Sequence, residues 1–259
     1  MSGPDGLRIL VTGGTSGIGR GVVERLRTDG ASVVFTGRDA ARGKDVETAT
    51  GAIFVQADAS DAAAVEGSVA RTLEALGGLD ALVNNAGMIL QGSIESTPPA
   101  AWRELLAVNL TAGFLYSRAC FSPIRDGGGG SIVHIASDTA IRGIPSIAAY
   151  SVTKAGVRML SDMLALEGAP VNVRSNAVCP GDVTPGVQAT PAGFSDHAED
   201  PSNWTLPPAG RFGTAADVAA LVAWLVCDEA RHMNGATIRI DAGMGAGIAA
   251  GTAAGIAAD

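Results

Sequence analysis

A doubly wound α/β fold, one domain built on a parallel sheet of seven strands, is what this 259-residue sequence predicts. Three observations predict it. Short apolar strands alternate with longer helical patterns from end to end, and most of those strands are continuous apolar runs, as in sheets covered on both faces. A glycine-rich turn joins the first strand to the first helix.

The strands read "RILVTG" from 8, "SVVFTG" from 32, "AIFVQAD" from 52, "ALVNNAG" from 81, "SIVHIAS" from 131, "VNVRSNAV" from 171 and "ATIRIDAG" from 236. Helical patterns lie between them at about 17–29, 39–49, 60–76, 98–121, 147–168 and 214–228. Strands so connected pair in parallel through right-handed crossovers, with helices on both faces. No linker divides the chain, so residues 1–259 are expected to be a single domain. Two stretches break the rhythm. Residues 182–212 are rich in Pro, Gly and acid where a tight turn is expected, and a long connection of that kind is expected to be a substrate lid. The tail from 244 to 259 is small and apolar, suited either to disorder or to packing on a neighbouring subunit.

Composition narrows the function classes. A hydrophobic fraction of 47% against 17% charged residues suits a globular core. The net charge of −8 argues against nucleic acid or an anionic membrane surface as partner. No apolar run is long enough to span a bilayer, and the N-terminus enters a strand with no basic and apolar leader. Cys120, Cys179 and Cys227 are far apart and not spaced as a zinc site, and a reducing cytoplasm is the expected location. His134, His197 and His232 form no metal-ligand pattern.

The turn "VTGGTSGIG" places Gly13, Gly17 and Gly19 around Thr15, Ser16 and Ile18, directly after the first strand. Glycines there let backbone approach a pyrophosphate, and the helix N-terminus offers free amides, which makes the sheet Rossmann-like. A ligand-free glycine turn is the plainer reading of the motif alone. At the end of the second strand, "VVFTGRDA" has glycine where an acid would bond the ribose 2′-hydroxyl, and Arg38 follows. Arg38 offers a planar fork to a 2′-phosphate, so NADP(H) is favoured over NAD(H). The alternative is a surface arginine paired with Asp39. Asp58 and Ala59, at the tip of the third strand, are placed to meet the adenine; otherwise Asp58 is a helix cap.

Within "YSVTK", Tyr150 and Lys154 are four apart and share one helix face. A phenol titrates near ~10. A neighbouring ammonium favours its anion, and proton transfer needs such a shift toward the working pH. Ser137 ends the fifth strand, where ligands of parallel sheets gather, and its hydroxyl is suited to orient a substrate oxygen.

Together "TGGTSGIG", "NNAG" at 84–87, "VNLT" at 108–111, Ser137, "YSVTK" and "NAVCPG" at 176–181 resemble the classical short-chain dehydrogenases/reductases, from about residue 7 to 243. The resemblance implies an enzyme that moves a hydride between a nicotinamide cofactor and a secondary alcohol or ketone. Tyr150 is then the general acid/base, Lys154 tunes it and holds the nicotinamide ribose, Ser137 orients the substrate, and Asn109 orders a water through its helix backbone. Asn84, Asn85, Ala86 and Gly87 line the cofactor, and Pro180, Gly181 and Val183 pass along the nicotinamide. The chain departs from the pattern at Pro185, where the family commonly has threonine.

Between 176 and 210 there is no Lys or Arg, which disfavours anionic acyl-carrier substrates. A neutral alcohol or ketone is expected, with Phe194 and Trp204 as apolar walls. A homo-oligomer, tetramer or dimer, is expected because helices 98–121 and 147–168 are apolar on more than one side. Two other classes stand beside this one. A non-catalytic nucleotide sensor or scaffold would tolerate loss of Tyr150, and an epimerase or dehydratase would show no net change of free cofactor.

Overall fold

The computed structural model describes residues 3–184 and 206–246. Among them the strands are β1 (Arg8–Val11), β2 (Ser32–Gly37), β3 (Ile53–Gln56), β4 (Ala81–Asn84), β5 (Gly130–Ile135), β6 (Val173–Pro180), β7 (Val183–Thr184), β8 (Gly213–Thr214) and β9 (Thr237–Ile240). Seven form one parallel sheet in the order β3-β2-β1-β4-β5-β6-β9, as the alternating pattern predicts. Helices α1 (Gly17–Thr28), α2 (Ala40–Thr50), α3 (Ala62–Leu76), α4 (Pro99–Leu105), α5 (Ala112–Asp126), α6 (Ala148–Gly168) and α7 (Ala215–Leu225) connect and cover it.

Each strand feeds two cores because successive side chains point to opposite faces. Ile9 and Val11 join Val22, Val23 and Leu26 of α1 and Val218, Val222 and Leu225 of α7 on one face. Leu10, between them, joins Leu82, Ile132, Val65 and Val69 with Tyr116, Cys120 and Ile124 of α5 on the other. A strand buried on both faces cannot alternate with polar residues, hence the unbroken apolar runs.

The site follows from the strand order. β1 lies between β2 and β4, so the connections leaving its carboxyl end and that of β4 turn to opposite faces and open a crevice. β5 and β6 extend that edge, with Ile135 opposite Val178.

Three elements differ from the sequence reading. The helix expected over 98–121 is α4 and α5 joined by a π-helical turn, Leu106–Thr111, fastened where Asn109 bonds both backbone groups of Met88. The sixth strand begins at Val173, not 171, because Asn172 at φ 60 closes a 3₁₀ turn ahead of it. The stretch read as a lid starts and ends in a small parallel pair, Val183 with Gly213 and Thr184 with Thr214. Its middle, with Phe194, His197 and Trp204, lies outside the described residues, as do Pro185 and the tail beyond 246. Among the described residues no helix is long and apolar enough to cross a membrane.

Candidate active site

The N-terminus of α1 differs from those of its neighbours. Asp39, Asp61 and Thr214 cap α2, α3 and α7 with their side chains. Ser16, at the head of α1, makes no side-chain cap, and the first turn carries no acid. Its leading amides and partial positive charge are therefore left for an anion. Gly17 sits at φ +52 with no atom within 4 Å of where a Cβ would stand, so the cradle is open to a ligand. Gly19 serves close approach instead: a Cβ there would lie 2.2 Å from the Gly13 carbonyl oxygen. These residues fit a dinucleotide pyrophosphate.

Asn85 supports that turn rather than facing outward. Its Nδ2 donates to the carbonyls of Thr12 and Gly13, both at 3.0 Å. The Thr12 hydroxyl accepts from the amides of Asn85 at 3.0 Å and Ala86 at 2.9 Å, tying the ends of β1 and β4 together. Sequence reasoning missed Thr12, although the threonine before the paired glycines was its visible signal. Asn84 turns away from the crevice and donates to Ser117 Oγ at 2.9 Å and the Gly113 carbonyl at 3.3 Å.

Arg38 is exposed and makes no ion pair among the described residues. Asp39 caps α2 through the Arg42 amide and pairs with the Arg42 guanidinium, so it is not Arg38's partner. Asp58 is not the cap of α3, a role taken by Asp61. Burial raises the Asp58 carboxyl, but hydrogen bonds from the Ser60 amide and hydroxyl, with the Arg38 charge, outweigh it and hold it low. Ala59 beside it is half-buried.

At the carboxyl end of β5 the predicted catalytic residues converge. Tyr150 and Lys154 are 8% and 5% exposed, and Lys154 Nζ stands 5.7 Å from the centre of the Tyr150 ring. Nζ donates to the Ile135 carbonyl at 2.9 Å. A Cβ on Gly87 would lie 3.4 Å from both Lys154 Nζ and Asn109 Oδ1, which brings β4's loop, the π turn and α6 to one place. Asn109 Oδ1 accepts from the Met88 amide at 2.8 Å, while Nδ2 donates to the Met88 carbonyl at 2.9 Å and Thr153 Oγ at 3.1 Å. Its side chain is fully engaged, leaving only its backbone for the role the resemblance implies. The Ser137 hydroxyl is a hydrogen-bond partner of the Tyr150 phenol. Gly181 and Val183 follow β6 at the same edge, where the Gly181 amide donates to the Ile240 carbonyl and Val183 is buried.

The electrostatics correct one expectation. Burial pushes the Tyr150 phenol up to about 12, opposed by its hydrogen bond with Ser137 and reinforced by Asp138 and Cys179. The ammonium was expected to pull the phenol down. Here burial is the largest influence on the phenol, Lys154 is not among the groups that act on it, and burial also draws Lys154 itself down to about 8. Behind Lys154, His134 is kept neutral, down to about 3, by burial and then by the Lys154 charge. His134 Nε2 and Asn84 Oδ1 make no hydrogen bond within the described residues.

Comparison with known proteins agrees with this geometry. The family model described as "Enoyl-(Acyl carrier protein) reductase" matches residues 13–245. A 2-(S)-hydroxypropyl-CoM dehydrogenase of Xanthobacter autotrophicus is 34% identical over 245 residues, covering 92% of this chain and 96% of the relative. An NADP-dependent (R)-specific alcohol dehydrogenase of Lentilactobacillus kefiri is 36% identical over 242 residues, covering 90% and 94%. The crystal structure of a levodione reductase superposes with a TM-score of 0.86 at 31% identity, covering 96% of this chain and all of that one. On matches that span nearly its whole length, this chain belongs to the short-chain dehydrogenase/reductase family and is an NAD(P)-dependent oxidoreductase.

Proposed function

We propose that this protein interconverts a neutral secondary alcohol and its ketone with NADP(H), Tyr150 exchanging the proton of the substrate oxygen. The observation that carries this reading is the convergence of Ser137, Tyr150 and Lys154 at the carboxyl end of β5, beside the open glycine turn. When bound, the nicotinamide supplies or accepts the hydride at the substrate carbon.

The protein's own groups do the rest. Gly13, Thr15, Ser16, Gly17, Ile18 and Gly19 would hold the pyrophosphate, Asp58 and Ala59 the adenine, and Asn85, Ala86 and Gly87 the far side of the turn. Pro180, Gly181 and Val183 would pass the nicotinamide, whose ribose falls to Tyr150 and Lys154. Tyr150 keeps its proton at neutral pH and donates it to a ketone oxygen, while Ser137 holds that oxygen beside it. Lys154, fixed by the Ile135 carbonyl, is the adjacent cation. Asn109 fastens the π turn whose backbone borders the proton path.

Two features support NADP(H). Arg38, exposed and without an ion pair among the described residues, can meet a 2′-phosphate. A side chain on Gly37, where an acid selective for a 2′-hydroxyl would stand, would begin 2.4 Å from Thr15 Cγ2. The Lentilactobacillus relative is likewise named NADP-dependent. A homo-oligomer is supported by Val152, Met159, Met163 and Leu166, which lie exposed along α6, with Phe114 exposed on α5. Light scattering that finds only monomer would reject it.

The test is NADPH oxidation across a panel of ketones with Tyr150→Phe. Turnover is expected to fall at least about 100-fold with NADPH affinity retained. Unchanged turnover would remove Tyr150 from the chemistry.

A further inference from the structure

The last strand is built unlike the inner ones. β9 lies at the edge of the sheet, paired with β6 alone. Its sequence "TIRI" alternates, where the inner strands are apolar throughout. Ile238 and Ile240 pack on the core that includes α7. Thr237 and Arg239 pair with Ala177 and Cys179 of β6, which face Val157 of α6 on the other side. Over β6 that face is covered; on β9 Arg239 is left exposed.

The result is a hollow of about 360 Å³ between α6, β9 and the turn after β5, lined by Arg158, Thr237, Arg239, Ala140 and Ile141. The charged groups among these are two arginines, on a chain whose net charge is −8. Arg158 spends Nη1 on Asp162 at 3.1 Å. Arg239 gives Nη1 to the Gly245 carbonyl and pairs with no carboxylate among the described residues. The acid two residues on, Asp241, is taken by the amides of Gly243 and Gly245. Two guanidiniums gathered without an acid between them repel each other until an anion joins them.

The donors suggest which anion. A carboxylate is satisfied by the planar fork of one arginine. Two forks and the Thr237 hydroxyl, from two elements, suit an oxyanion with more oxygens and nearly two charges, which is a phosphate group at neutral pH. The hollow is also larger than a phosphate ion fills, within the roughly 300–1,000 Å³ of small-molecule sites. Ala140 and Ile141 offer an apolar wall to a carbon body.

We propose that this hollow binds a small phosphate monoester through Arg158, Arg239 and Thr237. None of its lining residues is assigned to catalysis or to the cofactor, so the inference stands apart from the reading of Tyr150.

Calorimetric titration of inorganic phosphate and of phenyl phosphate into the protein saturated with NADP⁺ tests it. Saturation fills the glycine turn and Arg38, which would otherwise take phosphate themselves. Both compounds are expected to bind, phenyl phosphate at least about threefold tighter because its ring meets Ile141. Acetate should bind at least about tenfold more weakly than phosphate. Arg239→Met and, separately, Arg158→Met should each weaken phosphate binding about tenfold or more, and the isosteric Thr237→Val about fivefold. Arg38→Ala should leave it unchanged, and Arg239→Met should keep wild-type ketone turnover.

No binding of either phosphate compound, binding that survives Arg239→Met, binding lost in Arg38→Ala, or acetate bound as well as phosphate would each overturn the proposal. So would a hollow closed by a second copy of the chain: phosphate would then fail to bind, and Arg239→Met would lower the mass of the assembly in light scattering.

Discussion

Lys154→Met should make the protein inactive and, relative to wild type, less sensitive to pH in its stability. The buried ammonium is drawn from 10.5 down to about 8, worth about 3 kcal/mol at about 1.4 kcal/mol for each tenfold change in proton affinity. Below pH 8 the folded and unfolded chains both carry this proton, and the full penalty of burying the charge is present. Between 8 and 10.5 the unfolded chain keeps the proton that the folded chain has released, so wild-type stability rises with pH. Methionine fills the same space without a charge. It leaves the Ile135 carbonyl without its donor, which costs about 1–3 kcal/mol independently of pH. The clean quantity is therefore the difference in unfolding free energy between wild type and variant. From urea titrations without cofactor at pH 7 and pH 10, that difference should move by about 2–3 kcal/mol in favour of wild type as pH rises. A difference flat across this range would show that Lys154 keeps an ordinary pKa in the fold, and the argument from burial would fail.

Arg38→Ala should raise the KM for NADPH about tenfold or more while changing that for NADH less than about twofold, measured by steady-state kinetics with one ketone. Equal losses with both cofactors would refute the 2′-phosphate assignment. His134, held near 3 in the fold, resists a proton that the unfolded chain accepts below 6.5. Stability should then fall by about 1.4 kcal/mol per pH unit on acidification below 6.5, and His134→Asn should flatten that slope in urea titrations at pH 7 and pH 5. His134 and Asn84 border a cavity of about 10 Å³ lined also by Thr12, Asn109 and Tyr116. A high-resolution crystal structure should find one water there bonded to Asn84 Oδ1 and His134 Nε2.

The sheet was legible because its physics is periodic. Strands buried on both faces must be apolar throughout, and Ile9, Leu10 and Val11 show it by serving two cores at once. The convergence of Tyr150, Lys154 and Ser137 was legible because Tyr150 and Lys154 lie one helical turn apart and Ser137 ends a strand. What escaped depends on contacts between distant segments. Nothing local to "VTGG" says that Thr12 ties β1 to β4, and nothing local to "VNLT" says that Asn109 fastens a π turn to Met88. Asn85 is expected to line the cofactor as part of "NNAG"; that its side-chain amide also holds the glycine turn from behind is a contact the motif alone does not announce. The electrostatic expectation went astray for a related reason. Spacing gives the presence of a cation but not the depth of burial, and burial decides the sign here.

That sign bears on how the site works. Burial disfavours both charges, so it drives the phenol up and the ammonium down together. At neutral pH Tyr150 therefore holds its proton, and in the proposed reaction giving it to the oxygen of a ketone requires no prior ionisation. The reverse reaction would begin from the phenolate, the form that burial disfavours.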